Sequence, residues 1–74
     1  MAVTVRFFAS LRERLGRDEV QVEASTAEQA WQLASGEASL PANVLVAVNM
    51  AYVDPAQALE EGDEVAFFPP VTGG

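Results

Sequence analysis

Covalent chemistry on a protein usually starts from a thiol, an imidazole or an amine, and no side chain here offers any of the three. The 74 residues contain no cysteine and no histidine, and the four basic residues, Arg6, Arg12, Arg14 and Arg17, are all arginine. That inventory removes the usual nucleophiles, general bases and Schiff-base amines. It also removes the thiolate and imidazole ligands of zinc sites, so no metal is expected. Serine, threonine and eleven carboxylates remain, and a serine without a base partner is a weak nucleophile. Attention shifts to the closing residues, Pro69-Pro70-Val71-Thr72-Gly73-Gly74. Two terminal glycines arise by chance in about 0.5% of chains, at a glycine frequency of about 7%. Without Cβ atoms they make a thin strand able to thread a narrow channel, and they leave the α-carboxylate of Gly74 open to attack. The Pro-Pro pair stiffens the exit, so the tail is expected to project from the body. A carboxylate is inert until activated as an acyl-phosphate or acyl-adenylate. The chain has no G-x-x-x-x-G-K loop that would cradle a nucleotide, so activation must come from another protein. The expectation is a carrier, not a catalyst, with no bound cofactor.

Charge narrows the partners further. The net charge of −7 argues against a nucleic-acid partner. It is unevenly spread: residues 1–17 hold every arginine and one glutamate, for a net of +3, whereas residues 18–74 hold ten acids and no base. Solubility explains this, and so does steering toward a basic partner. Half the residues are apolar and a fifth are charged, which predicts a folded chain rather than a disordered one. A domain of this size buries only about 60% of the surface its unfolded form exposes, so the core must be compact and regular. The opening residues lack the pattern of a signal peptide, and no apolar run approaches the roughly 20 residues that span a bilayer. A cytoplasmic protein without a membrane partner is expected.

The elements that must position the tail are short. Residues 2–8 alternate, with Val3, Val5 and Phe7 on one parity and Thr4, Arg6 and Phe8 on the other, which predicts a half-buried strand. Ser10 and Glu13 have capping-box spacing ahead of Leu11 and Leu15, with Gly16 as a stop. A second strand is predicted over 18–24, with Val20 and Val22 facing in. Ser25 and Glu28 repeat the box spacing before a helix over 26–35. There Ala27, Ala30, Trp31 and Ala34 make an apolar stripe and Gly36 ends it. The stripe assigns Trp31 to the core. Residues 40–43 connect to a continuous apolar run over 44–49, predicted as a central strand buried on both faces. A turn at 49–51 leads to a short strand at 52–53, and Asp54-Pro55 breaks it before one more turn over 56–59. Gly62-Asp63 introduces the last strand over 64–68, which Pro69-Pro70 terminates.

Four or five strands and one main helix close a core only if the helix lies across one face of a mixed sheet, an α+β arrangement. Residues 1–70 then form the domain and 71–74 the tail. The same parity leaves a remainder. Phe8 and Phe68 point away from the helix, onto a face with no cover, and Tyr52 is a candidate to join them. Apolar side chains clustered on an open face predict a partner interface.

The stretch Leu59-Glu60-Glu61-Gly62-Asp63-Glu64-Val65-Ala66-Phe67-Phe68-Pro69-Pro70-Val71-Thr72-Gly73-Gly74 resembles the C-terminal signature of the molybdopterin synthase sulfur carrier subunits. Val5-Arg6-Phe7-Phe8-Ala9 with Leu11-Arg12-Glu13 is similar to that family's opening strand and helix, and Ala47-Val48-Asn49 to its central strand. Residues 25–43 match only in pattern. The resemblance implies a ubiquitin-like β-grasp fold and a role as a non-catalytic sulfur-carrying subunit. By that resemblance an E1-like adenylyltransferase uses ATP and magnesium to adenylate Gly74, and a sulfur donor protein converts it to a thiocarboxylate. The carrier docks on the large subunit of molybdopterin synthase, in a heterotetramer, through Phe8, Tyr52 and Phe68. Val71, Thr72 and Gly73 thread the partner's active site, and sulfur passes to cyclic pyranopterin monophosphate to build the molybdopterin dithiolene. Tyr52 stands where the family pattern leads one to expect an aliphatic residue. Three other roles fit the same tail: a thiamine-type sulfur carrier, a ubiquitin-like modifier joined to lysines through Gly74, and an interaction module whose tail is idle.

Overall fold

A computed structural model describes residues 1–70. The proposed tail, and with it Val71, Thr72, Gly73 and Gly74, lies outside the described residues. In chain order the elements are β1 (Ala2–Phe7), α1 (Ala9–Leu15), β2 (Glu19–Glu23), α2 (Ala27–Ser35), β3 (Leu45–Val48), β4 (Ala51–Tyr52) and β5 (Glu64–Phe68). The strands form one sheet in the order β2-β1-β5-β3-β4. β1 is antiparallel to β2 and parallel to β5, while β3 is antiparallel to both β5 and β4. The mixed α+β architecture is therefore as the element order predicted. Among the described residues no helix is long and apolar enough to cross a membrane.

The core lies between the sheet and α2. Val3, Val5 and Phe7 of β1 and Val65 and Phe67 of β5 are buried, as are Ala27, Ala30, Trp31 and Ala34 on the α2 stripe. Trp31 is fully enclosed and meets Phe7 edge-on at 5.8 Å and Phe67 edge-on at 5.1 Å. Contacts of this geometry add about 0.5–1.5 kcal/mol each beyond the area they bury. The indole Nε1 donates to the Ser39 carbonyl at 3.0 Å, so burying the ring strands no donor.

Several local expectations need correction. The α2 box is shifted by one residue: Thr26 is the N-cap and its Oγ1 accepts from the Gln29 amide, while Gln29 Oε1 accepts from the Ser25 amide at 2.7 Å. A glutamine thus replaces Glu28 as the reciprocal acceptor. The Ser10–Glu13 box does not form, because α1 begins two residues earlier with Phe8 as an uncapped N-cap. Ala9 enters the helix at φ +53°, a left-handed conformation that costs a non-glycine residue about 1–2 kcal/mol. Strand β3 starts at Leu45, and Leu45 is 39% exposed although Val46 and Ala47 are buried. Among the described residues Leu45 stands on the sheet face away from α2, opposite Phe68, so the run is not enclosed on both faces along its length. The short strand lies at Ala51–Tyr52, one residue early, since Asn49 and Met50, both at positive φ, already make the two-residue hairpin turn. The later turn spans 54–57, closed by the Gln57 amide on the Asp54 carbonyl at 2.9 Å. Ala58 is left to bridge Thr26.

The uneven charge is partly explained by the fold. Arg14 pairs with Glu37 at 2.6 Å, and Arg17 donates to the Ala34 carbonyl. Both cations thus gather where the unsatisfied carbonyls of α2 favour positive charge.

At the end of the sheet where β1 and β5 begin, a polar knot ties three segments together. Asp63 accepts from the Glu60 amide at 2.8 Å and from Asn49 Nδ2 at 2.9 Å, while Asn49 Oδ1 accepts from the Glu64 amide at 3.0 Å. These bonds stabilise the charged form of Asp63 and hold its pKa below the ordinary 3.8, the Glu60 amide first and Asn49 second. A carboxylate whose pKa is lower folded than unfolded adds stability that is complete above its unfolded value and is lost as pH falls through its folded value. The urea midpoint of the protein will therefore fall as pH drops below about 5, and Asp63→Asn will show a shallower fall over the same interval. Equal slopes for the two proteins would remove the knot's role.

Candidate functional site

The in-register pairing of β1 with β5, Val5 opposite Val65 and Phe7 opposite Phe67, decides what appears on the face away from α2. Side chains alternate along each strand, so if the residues at 7 and 67 face the core together, those at 8 and 68 emerge together on the other side. Phe8 keeps extended backbone, φ −122° and ψ 153°, and its amide donates to the Phe67 carbonyl at 3.2 Å. The parity therefore survives one residue past the end of β1. The Phe8 and Phe68 rings stack with centroids 4.7 Å apart and planes 12° from parallel. Tyr52 leans its ring on Phe68 edge-to-face at 6.2 Å.

The three residues expected on the open face are thus one contiguous aromatic group. Phe8 and Phe68 are half-buried, and Tyr52 is 72% exposed. Together with Arg6, Ala47, Met50, Glu64 and Ala66 they line a shallow concavity of about 440 Å³. Leu45, opposite Phe68 on β3, extends the same surface.

Arg6 stands among these aromatic rings. Its guanidinium lies 5.9 Å from the Phe8 ring centre, with Glu19 and Glu64 each 3.7 Å away on its two sides. Among the described residues its buried Nε has no hydrogen-bond partner. Exposed pairs at such distances contribute little stability, so Arg6 chiefly sets the shape and charge of one wall.

Sequence parity found Phe8 and Phe68, and puts Ala66 on the face of Phe68, but missed Leu45, Met50 and Ala47. Leu45 and Ala47 sit inside an apolar run, where alternation carries no signal, and Met50 reaches the face through its turn. Val71, Thr72, Gly73 and Gly74 lie outside the described residues. Pro69 and Pro70 lead toward them directly from Phe68. Chemically the face offers ring stacking and apolar contact around one cation. It can bind a partner, and it has no paired nucleophile and base.

The chain is similar in sequence and fold to known proteins. The molybdopterin synthase sulfur carrier subunit of Haemophilus influenzae is 40% identical over 84 aligned residues, covering 97% of this chain and 99% of that protein. Among solved structures, SAMP1 from Haloferax volcanii superposes with a TM-score of 0.80 at 28% identity, over 100% of both chains. The putative molybdopterin converting factor subunit 1 from Pyrococcus furiosus superposes at 0.76, also at 28% identity, over 96% of this chain and 99% of that one. The shared fold is the ubiquitin-like β-grasp. The profile of the ThiS family matches residues 5–74, from the first core strand to the Gly-Gly end, and the chain belongs to that family.

Proposed function

We propose that this chain is the sulfur carrier subunit of a molybdopterin synthase. The observation that carries the reading is that β5 ends at Phe68 on the open aromatic face, six residues before the Gly74 carboxylate in sequence. A partner seated on Phe8, Tyr52 and Phe68 therefore lies within a few residues of the C-terminus along the chain. The side-chain inventory supports a carrier, and the name of the Haemophilus influenzae relative supplies the cargo.

In this reading an E1-like adenylyltransferase joins the Gly74 carboxylate to the AMP moiety of ATP with magnesium, releasing pyrophosphate. A sulfur donor protein then displaces AMP to leave a thiocarboxylate. That group is a far better nucleophile at neutral pH than a carboxylate, so it transfers sulfur where the original terminus could not. The loaded carrier docks on the large subunit, with Val71, Thr72 and Gly73 occupying the channel that leads to bound cyclic pyranopterin monophosphate. Two loaded carriers serve each dithiolene, which fits a heterotetramer in the cytoplasm. The chain itself catalyses nothing; it is the sulfur-bearing half of a sulfurtransferase.

A second reading, a protein modifier joined to target lysines through Gly74, is favoured by the likeness to SAMP1, a small archaeal modifier protein. The two readings leave different products: high-mass conjugates on many proteins for a modifier, a small mass change on the free chain for a carrier. A thiamine-type carrier would instead associate with a thiazole-forming synthase.

Intact-mass measurement of the protein from cells active in molybdenum cofactor synthesis will show a form heavier by about 16 Da, sulfur for oxygen. Fragmentation will place it on the C-terminal peptide, away from the equally heavy sulfoxides of Met1 and Met50. Removing Gly73-Gly74 will abolish that form and molybdopterin formation; retained activity would sink the proposal. Phe68→Ala will cost only about 1 kcal/mol of stability but weaken binding to the large subunit about thirtyfold. Loss of the fold would instead make Phe68 a core residue.

A further inference from the structure

One row of the sheet crosses the open face as Arg6, Ala66, Ala47 and Tyr52, each directly opposite the next in the strand register. The two middle positions end at Cβ, while the outer two carry long side chains. The result is a trough floored by Ala66 and Ala47, walled by Arg6 and Tyr52 and closed at the tail end by Phe68. At about 440 Å³ it lies within the roughly 300–1,000 Å³ typical of binding clefts, ample for an inserted side chain. Met50, Tyr52 and Leu45 are among the few large apolar residues the domain exposes, and all three border this surface. An apolar occupant is the one that buries them. Around the trough Glu19 and Glu64 flank the single cation Arg6, so its rim is net negative.

We infer that the trough is a keyhole for one apolar side chain projecting from the large subunit, with a basic group of that subunit beside it at Glu64. The inference rests on the docking proposed above and adds the position that decides which partner surfaces fit. Size at residue 66 is then the determinant. Ala66 is half-buried on the open face, away from the α2 core, so enlarging it fills the trough without crowding Trp31.

The test measures binding of the purified large subunit to the wild type, Ala66→Ser and Ala66→Leu, with thermal unfolding of each. The expected result is wild-type affinity within threefold for Ala66→Ser and at least about a tenfold loss for Ala66→Leu, while Ala66→Leu melts no lower than the wild type, since leucine suits a strand better than alanine. Glu64→Gln will flatten the salt dependence of the association rate. Equal binding by all three proteins would overturn the keyhole while leaving the docking surface in place. Failure of the wild type to bind would overturn the docking itself. Dimerisation of the free chain that Ala66→Leu abolishes would assign the trough to a second copy and overturn the inference.

Discussion

Everything on both faces of this domain depends on the parallel, in-register pairing of β1 with β5. Each strand brings a Phe-Phe step to that pairing, Phe7-Phe8 and Phe67-Phe68. Phe7 and Phe67 pack beneath Trp31, and the residues after them stack on the opposite side. Core packing and surface presentation are thus the same register read from two directions. A slip of one residue would bury what should be displayed and expose what should be packed. The Trp31 contacts that hold the fold also fix where Phe68 must be.

The two ends of β5 have contrasting chemistry. At its start, Asp63, Asn49 and the Glu60 amide lock three segments with short directional bonds. At its finish stand rings, a strained Ala9 and a pair of prolines. The uncapped start of α1 belongs to this finish. A Ser, Asp or Asn at position 8 would satisfy the helix amides, and none could stack on Phe68. Helix stability is given up there for a displayed aromatic ring.

Much of this was legible in the sequence, and the exceptions have physical causes. Alternation exposes Phe8 and Phe68 because strands have a period of two, and Trp31 declares itself through the 3.6-residue stripe. Strand order is another matter, since nothing in residues 64–68 says whether they run beside β1 or at an edge. The capping box at Ser25 failed by one residue, because serine, threonine and glutamine at adjacent positions offer equivalent bonds and tertiary contacts choose among them, whereas the one at Ser10 failed outright because α1 starts from Phe8. The trough was invisible: alanines in an apolar run look like filler until the register lines up Ala47 with Ala66. The Gly-Gly end needed no fold to be noticed, and the Phe-Phe-Pro-Pro stretch before it carried the resemblance.

A domain that keeps one sheet face bare must also keep copies of itself from adding strand to strand. The two borders of the sheet meet this demand differently. On one side β4 has only two residues, too short to template another strand. On the other, β2 alternates Glu19, Gln21 and Glu23. If two copies met antiparallel there, centred on Gln21, each Glu19 would lie opposite the other's Glu23, an arrangement that like charges oppose. Adhesion is thereby confined to the flat of the sheet and denied to its rims, so the molecule can be sticky without polymerising.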